Sequence, residues 1–356
     1  SISSRWGGSL AWQGQLRYNQ PMTMDDNWEM LGHSWAVELL KNHLANNRTR
    51  HAYLFTGPSG IGRRTLALRL AQALNCIQPV NPGVPCGTCR NCRLIPVMQH
   101  PDVSISQADQ VGGTLKVDQI RELQHTLSLT PYEAQYRVAL LLRFEEANPS
   151  AANALLKTLE EPPPCVVLML TAQDSQSLLP TIVSRCELVR LRPLSLGLVS
   201  EGLQAHFGVE AESARLLAHI SGGRPGYAIR LHQDPEFMKK RQSWLEEHQR
   251  LLSANRLMRF AFAETLASDK DDLESVLRVW SSFWRDIFLT TSGSSSPLTN
   301  IDWKKEIQML ASTVTLSKAV EMVKSVENTS DLLTRNINAR LAIEVLTLDL
   351  PYIKGG

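Results

Sequence analysis

The sequence predicts an α/β protein: a parallel β-sheet covered by helices on both faces, followed by a second half that is helical throughout. Three observations carry that reading. Short apolar runs lack the polar alternation of half-exposed strands and are separated by amphipathic stretches, the pattern of a sheet buried on both faces. The first run stops at a glycine-rich loop that opens into a helix, and ligands of such sheets bind beyond the carboxyl ends of the strands. After Pro193 the strand-like runs cease.

Taken in order, residues 35–47 (WAVELLKNHLANN) have helical apolar spacing, and 51–58 (HAYLFTGP) read as a buried strand entering a turn. RRTLALRLAQALNC follows as a helix with Leu66, Leu70, Ala73 and Leu74 on one face. A loop rich in cysteine and proline spans 79–100. Residues 117–129 read as helix and 136–144 (YRVALLLRF) as strand. Pro149 starts a helix, PSAANALLKTLEE, with Leu155, Leu156 and Leu159 as its buried stripe, and prolines 162–164 stop it. Residues 165–172 (CVVLMLTA) form a third strand, 178–184 a short helix around Pro180, and CELVRLRPL a last strand. Residues 196–234 read as short helices broken by SGGRPG. From Asp234 the pattern is helical, interrupted by TSGSSSP at 291–297. The last helix, within 338–350, carries Leu341, Val345 and Leu348 at helical spacing. The expected units are a core at 24–195 with a cysteine module at 76–92, small helices at 196–234 and a bundle at 235–356. Residues 1–23 are aperiodic and read as a tag or disordered arm, with a genuine arm left open; Met24 is a plausible native start.

The chain has 356 residues, 43% hydrophobic and 20% charged, a globular composition long enough for two or three domains. A net charge of +2 argues against a chain that binds nucleic acid over its whole surface, and leaves room for a local basic patch. Of six cysteines, Cys165 and Cys186 lie in or beside apolar runs and read as buried thiols. Nothing suggests a disulfide framework. No run approaches the roughly 18 apolar residues of a membrane span, and no signal segment opens the sequence. A cytoplasmic protein with no membrane contact is expected.

The loop GPSGIGRRT, 57–65, has the spacing of a phosphate loop, G-x-x-x-x-G-K-[ST]. Gly57, Gly60 and Gly62 let backbone amides converge on phosphate at a helix start. The chemical groups are missing. Arg63 stands at the lysine position and Arg64 at that of the magnesium-binding hydroxyl. Thr65 is one residue late, turned by about 100° on a helix. Arg63 retains a charge for a phosphate, with different geometry. The strand that should end in acids for magnesium and water ends Leu141, Leu142, Arg143, Phe144; Glu145 and Glu146 come later and read as solvated residues. A turn that binds nothing and a loop that holds ADP or ATP without turnover both stay open. Magnesium-dependent ATP hydrolysis is not expected.

Cys76, Cys86, Cys89 and Cys92 give C-x9-C-x2-C-x2-C. Four thiolates suit tetrahedral structural zinc and leave no open position for a catalytic water. Gly83, Pro85 and Gly87 supply the turns. An iron–sulfur cluster is a lesser alternative, and His100 reads as structural.

In this order and spacing, GPSGIGRRTLALRLAQAL, CGTCRNC, HPD, NPSAANALLKTLEEPP and LLPTIVSRC closely resemble the delta-prime family of bacterial DNA polymerase III subunits, within the AAA+ clamp-loader group. The resemblance covers roughly residues 30–230 well and the C-terminal part weakly, through NINARLAIEVL. It implies an AAA+ P-loop core with an inserted zinc knuckle, a small helical lid and an all-helical C-terminal collar that joins a five-membered ring. The implied role is a rigid stator partnered with delta and with gamma/tau ATPase subunits. The ring loads the beta sliding clamp on primed DNA, which the chain meets through the assembly. Arg185, in Ser184–Arg185–Cys186, would reach across as an arginine finger to ATP in a neighbouring gamma/tau subunit. A cation at the end of a short helix can neutralise a transferring phosphoryl group in another chain. The family's nucleotide-sensing arginine falls on Pro225, with Arg224 adjacent. Glu160 and Glu161 read equally as partner-facing or solvated. A gamma/tau-like ATPase is the alternative, set against by the missing lysine and hydroxyl. A stand-alone zinc DNA-binding protein lacks a recognition-helix pattern.

Overall fold

The computed structural model describes residues 27–110, 112–268, 270–334 and 338–353; the expectations for 1–23 and Met24 lie outside them. Five strands, β1 Ala52–Thr56, β2 Val103–Ser106, β3 Arg137–Leu141, β4 Val166–Ala172 and β5 Glu187–Arg190, form one sheet in the order β2-β3-β4-β1-β5. Every pairing is parallel. Successive side chains point to opposite faces, and both faces are covered. Tyr53, Phe55, Val138, Leu140 and Met169 pack with α1 (Ser34–Ala45) and α2 (Arg63–Asn75). Leu54, Ala139, Leu141, Leu168 and Leu170 pack on the other side. That layer contains α4 (Val117–Leu127), α5 (Pro149–Glu160) and α6 (Pro180–Val183), while α3 (Arg90–Leu94) lies in the cysteine loop.

Local chemistry sets the helix ends. Asn148 caps α5 by accepting from the Ala151 amide at 2.8 Å, with Pro149 at the first helical position. Asp102 anchors the segment before β3. Its buried carboxylate accepts the amides of Tyr132, Glu133 and Ala134 at 2.7–2.9 Å and pairs with Arg137 at 3.1 Å.

Three helices follow, α7 Leu196–Phe207, α8 Ala211–Ser221 and α9 Pro225–Gln233. They share a separate core built on Val199, Leu203, Leu217 and Leu231. The remaining helices are α10 Pro235–Ser253, α11 Arg256–Ser268, α12 Lys270–Thr291, α13 Lys304–Thr313, α14 Leu316–Thr334 and α15 Ala339–Asp349. Trp280, Phe283, Trp284, Ile307 and Met322 fill their core.

Several readings change. β2 and α3 were not foreseen: VSIS is too short to show a period, and α3 is one turn inside a loop. Cys165 is exposed, because it sits in a left-handed turn (φ 59°) before β4 enters the sheet. Cys186 is only partly buried, and desolvation pushes its thiol up to about 12. Leu341, Val345 and Leu348 face outward at 56%, 52% and 41% exposure, while Ala342, Ile343 and Leu346 face the core. The helical spacing was there, on the opposite face.

Candidate functional sites: a phosphate loop, a cysteine cluster and an outward arginine

The phosphate loop joins β1 to α2 at the carboxyl edge of the sheet. Its first glycine is tied to the end of β4, with the Gly57 amide donating to Gln173 O at 3.1 Å. Gly57 has φ 144°, and a Cβ there would meet Leu191 O at 2.4 Å, so only glycine fits. The amides of Gly60, Gly62, Arg63 and Arg64 have no acceptor among the described residues. The loop therefore keeps the donor array of an anion cradle at a helix N-terminus.

The side chains around it differ from those of a magnesium site. The Arg63 guanidinium leaves Nη1 buried without a partner. Burial lowers its pKa; the carboxylate of Glu145 opposes that shift, and Arg143 adds to it. Arg64 reaches Met98 Sδ at 2.8 Å, and Thr65 is exposed. At the end of β3, Leu142 is buried and Arg143 adopts φ 51°. Arg143 donates to Glu146 Oε1 at 2.9 Å, and that oxygen also accepts the Gly112 amide at 2.9 Å. Glu145 Oε1 accepts the Gln173 amide at 3.3 Å, and its Oε2 is buried without a partner. The reading of Glu145 and Glu146 as solvated is therefore wrong: the turn after Arg143 folds both carboxylates inward. Burial raises the Glu146 pKa despite its donors.

Helix α9 approaches the loop directly. The Tyr227 amide donates to Gly60 O at 3.2 Å. At the expected sensor position Pro225 is the first residue of α9 and has no donor. Arg224 stays with its own helices: Nε donates to Ser221 O at 2.6 Å and the guanidinium lies 4.6 Å from the Tyr227 ring centroid. Burial, with Arg278 nearby, lowers its pKa to about 10.

The four cysteine sulfurs of Cys76, Cys86, Cys89 and Cys92 lie within 4.8 Å of one another. Tetrahedral zinc thiolate, with Zn–S near 2.3 Å, needs sulfurs about 3.8 Å apart, so the set fits with a small contraction. Backbone amides already point at the sulfurs: Cys86 N to Cys76 Sγ at 3.2 Å, Cys89 N to Cys86 Sγ at 3.3 Å and Cys92 N to Cys89 Sγ at 3.5 Å. Such donors stabilise thiolate. Burial opposes ionisation of Cys86, yet the Thr88 side chain and the Cys89 and Thr88 amides bring it down to about 6. Burial raises Cys76 and Cys92; a bound cation would reverse that. The module is fastened to α2 by Gln72 to Cys92 O at 2.6 Å and Asn91 to Asn75 O at 2.8 Å. His100 is buried 3.6 Å from Glu133 and lies outside the cluster.

Arg185 lies between α6 and β5, with a side chain 34% exposed. It donates to Glu160 Oε1 at 2.7 Å and to Thr181 O at 2.8 Å. The sequence left Glu160 and Glu161 undivided; the structure gives the arginine to Glu160 alone.

Comparison with known proteins decides the family. A family model described as DNA polymerase III, delta subunit matches residues 32–195, and one for the C-terminal part of the delta subunit matches 235–350. The chain is 29% identical over 318 residues to the DNA polymerase III subunit delta' of Bacillus subtilis, covering 88% of this chain and 94% of that protein. This chain belongs to the DNA polymerase III clamp-loader family, as a delta-prime-like AAA+ subunit. Within that family it is 41% identical over 184 residues to subunit delta' of Pseudomonas aeruginosa, spanning 51% of this chain and 56% of that one. It is 33% identical over 219 residues to subunit tau of Escherichia coli, spanning 60% of this chain and 33% of tau. The match thus reaches about half of the Pseudomonas relative and a third of tau. Among the described residues, no helix is long and apolar enough to cross a membrane.

Proposed function

We propose that this clamp-loader chain is a non-hydrolysing stator of the delta-prime type. It helps a ring of delta and gamma/tau subunits load the beta sliding clamp on primed DNA in the cytoplasm, and lends Arg185 to ATP held by a gamma/tau neighbour. One observation carries the reading. Arg63 and Arg64 occupy the lysine and hydroxyl positions of the loop, and Leu142 and Arg143, just past the end of β3, stand where acids would hold magnesium, while Arg185 stays partly exposed. Arg63 keeps a positive charge at the loop, but the hydroxyl and the acid that would hold magnesium are both replaced, so this chain lacks the metal chemistry of phosphoryl transfer.

The other units take roles that suit their contacts. Residues 24–195 form the AAA+ core. Residues 196–234 act as a lid over the phosphate loop, supported by the Tyr227–Gly60 bond. Residues 235–356 act as the collar; the outward Leu341, Val345 and Leu348 of α15 suit packing against another subunit. The lid touches the collar through His219 Nδ1, 2.7 Å from Leu298 O. Cys76, Cys86, Cys89 and Cys92 hold structural zinc, which ties the 76–92 loop to α2. The purified chain should show no magnesium-dependent ATP turnover. Turnover that survives further purification and disappears in an Arg63→Ala/Arg64→Ala variant would refute the reading.

A further inference from the structure

Resting on the reading of Arg185 just given, we propose that Glu160 is the positioning residue of that arginine: it presents a guanidinium already oriented to the neighbouring subunit. Arg185 follows a helix of only four residues, α6, a weak support for a long side chain. Two acceptors compensate. Thr181 O, on α6, takes Nη1 at 2.8 Å, and Glu160 Oε1 takes Nη2 at 2.7 Å.

Glu160 is well placed for this because it ends a rigid strut. α5 is fixed at its start by the Asn148 cap and along its length by fully buried Leu155 and Leu159. Its last residue therefore has a defined position relative to the sheet. A guanidinium carries five N–H groups, and two are held from the protein side. The other three have no acceptor among the described residues. They remain for an anion from outside. Fixing the fork in advance removes much of the rotamer entropy otherwise lost on meeting a phosphoryl group.

The pair is suited to orienting rather than trapping. The side chains of Glu160 and Arg185 are 51% and 34% exposed, and water-facing pairs are weak. A partner phosphate can therefore take the free donors without first breaking a strong bond. Glu161, one residue on, has no ion-pair partner among the described residues and serves as the control.

The test uses the full chain reconstituted with the gamma/tau-like and delta-like subunits of the same genome. Clamp- and primed-DNA-stimulated ATPase is followed as kcat and KM for ATP. Glu160→Ala should lower kcat about fivefold, the upper range for an exposed pair, with KM unchanged. Glu160→Gln keeps an oxygen acceptor and should recover at least half of that loss. Glu161→Ala should match wild type, and the thermal midpoints of all three isolated variants should coincide with wild type. If Glu160→Ala runs at or above the wild-type rate while Arg185→Ala is impaired, the positioning role is overturned and the arginine finger stands. An equal fall in Glu161→Ala also overturns it, as an effect of general acidity. A wild-type rate for Arg185→Ala would instead overturn the finger itself.

Discussion

The Tyr227 amide donates to the carbonyl of Gly60 at 3.2 Å, which fixes the first turn of α9 against the phosphate loop. The fit leaves no room for a side chain at Gly60 or at Gly226. A Cβ on Gly60 would lie 2.8 Å from Tyr227 Cβ, at φ 81°, and one on Gly226 would lie 2.9 Å from Gly60 O. Gly60→Ala should therefore destabilise the chain by about 2–3 kcal/mol in urea unfolding, combining backbone strain with a clash. A loss below about 0.5 kcal/mol, the size of an ordinary surface change, would mean that loop and helix separate in solution.

The missing magnesium chemistry is spread over two segments, so repairing one should not restore it. Arg63→Lys/Arg64→Thr recreates the loop motif, yet Leu142 and Arg143 still follow β3 where acids would be needed. The double variant should show no ATP turnover in a coupled assay. Turnover would locate the loss of hydrolysis in the loop alone.

Zinc should be a structural component. Cys92→Ala removes a buried ligand from the helical arm of the cluster. Metal analysis should find about one zinc per wild-type chain and almost none in the variant. The thermal midpoint should fall by roughly 5–10 °C, on the order of 2–3 kcal/mol for a domain of this size. An unchanged metal content and midpoint would contradict the assignment.

His248 makes the helical bundle sensitive to acid. It is fully buried between Trp280, Phe283 and Trp284, accepts from Trp284 Nε1 at 2.9 Å, and is pushed by burial down to about 3. The unfolded chain takes up this proton near pH 6.5, while the folded chain stays neutral. The folded pKa is the lower one, so stability is fully present above the unfolded value and is lost as pH falls from about 6.5 toward 3. At pH 5 the loss should be about 2 kcal/mol relative to pH 7.5. Urea unfolding of His248→Gln at both pH values should show that much less pH dependence than wild type. An identical pH dependence would contradict the account.

Much of this was legible because the strongest signals are local. β1, β3 and β4 read from continuous apolar runs, and α5 from Asn148–Pro149 at its start and prolines at its end. The loop departures at Arg63, Arg64, Leu142 and Arg143 are matters of spacing, which sequence preserves. What was missed depends on tertiary direction. Cys165 looks like strand until a positive φ turns it outward. Glu145 and Glu146 look solvated until the turn after Arg143 folds them under. The outward face of α15 cannot be told from its inward one by period, since both carry aliphatic residues. Glu160 and Arg185 lie 25 positions apart, and nothing local joins them; the contact arises because α5 ends beside α6.

The central claim is that the chemistry of this chain is exported: its own loop is idle and Arg185 serves the next subunit. The most direct measurement is clamp- and DNA-stimulated ATPase of the reconstituted ring carrying either Arg185→Ala or Arg63→Ala/Arg64→Ala in this chain alone. The account predicts a fall of at least about tenfold at the site facing this chain for Arg185→Ala, and a wild-type rate for the loop variant. A loss confined to the loop variant, with Arg185→Ala unaffected, would contradict it.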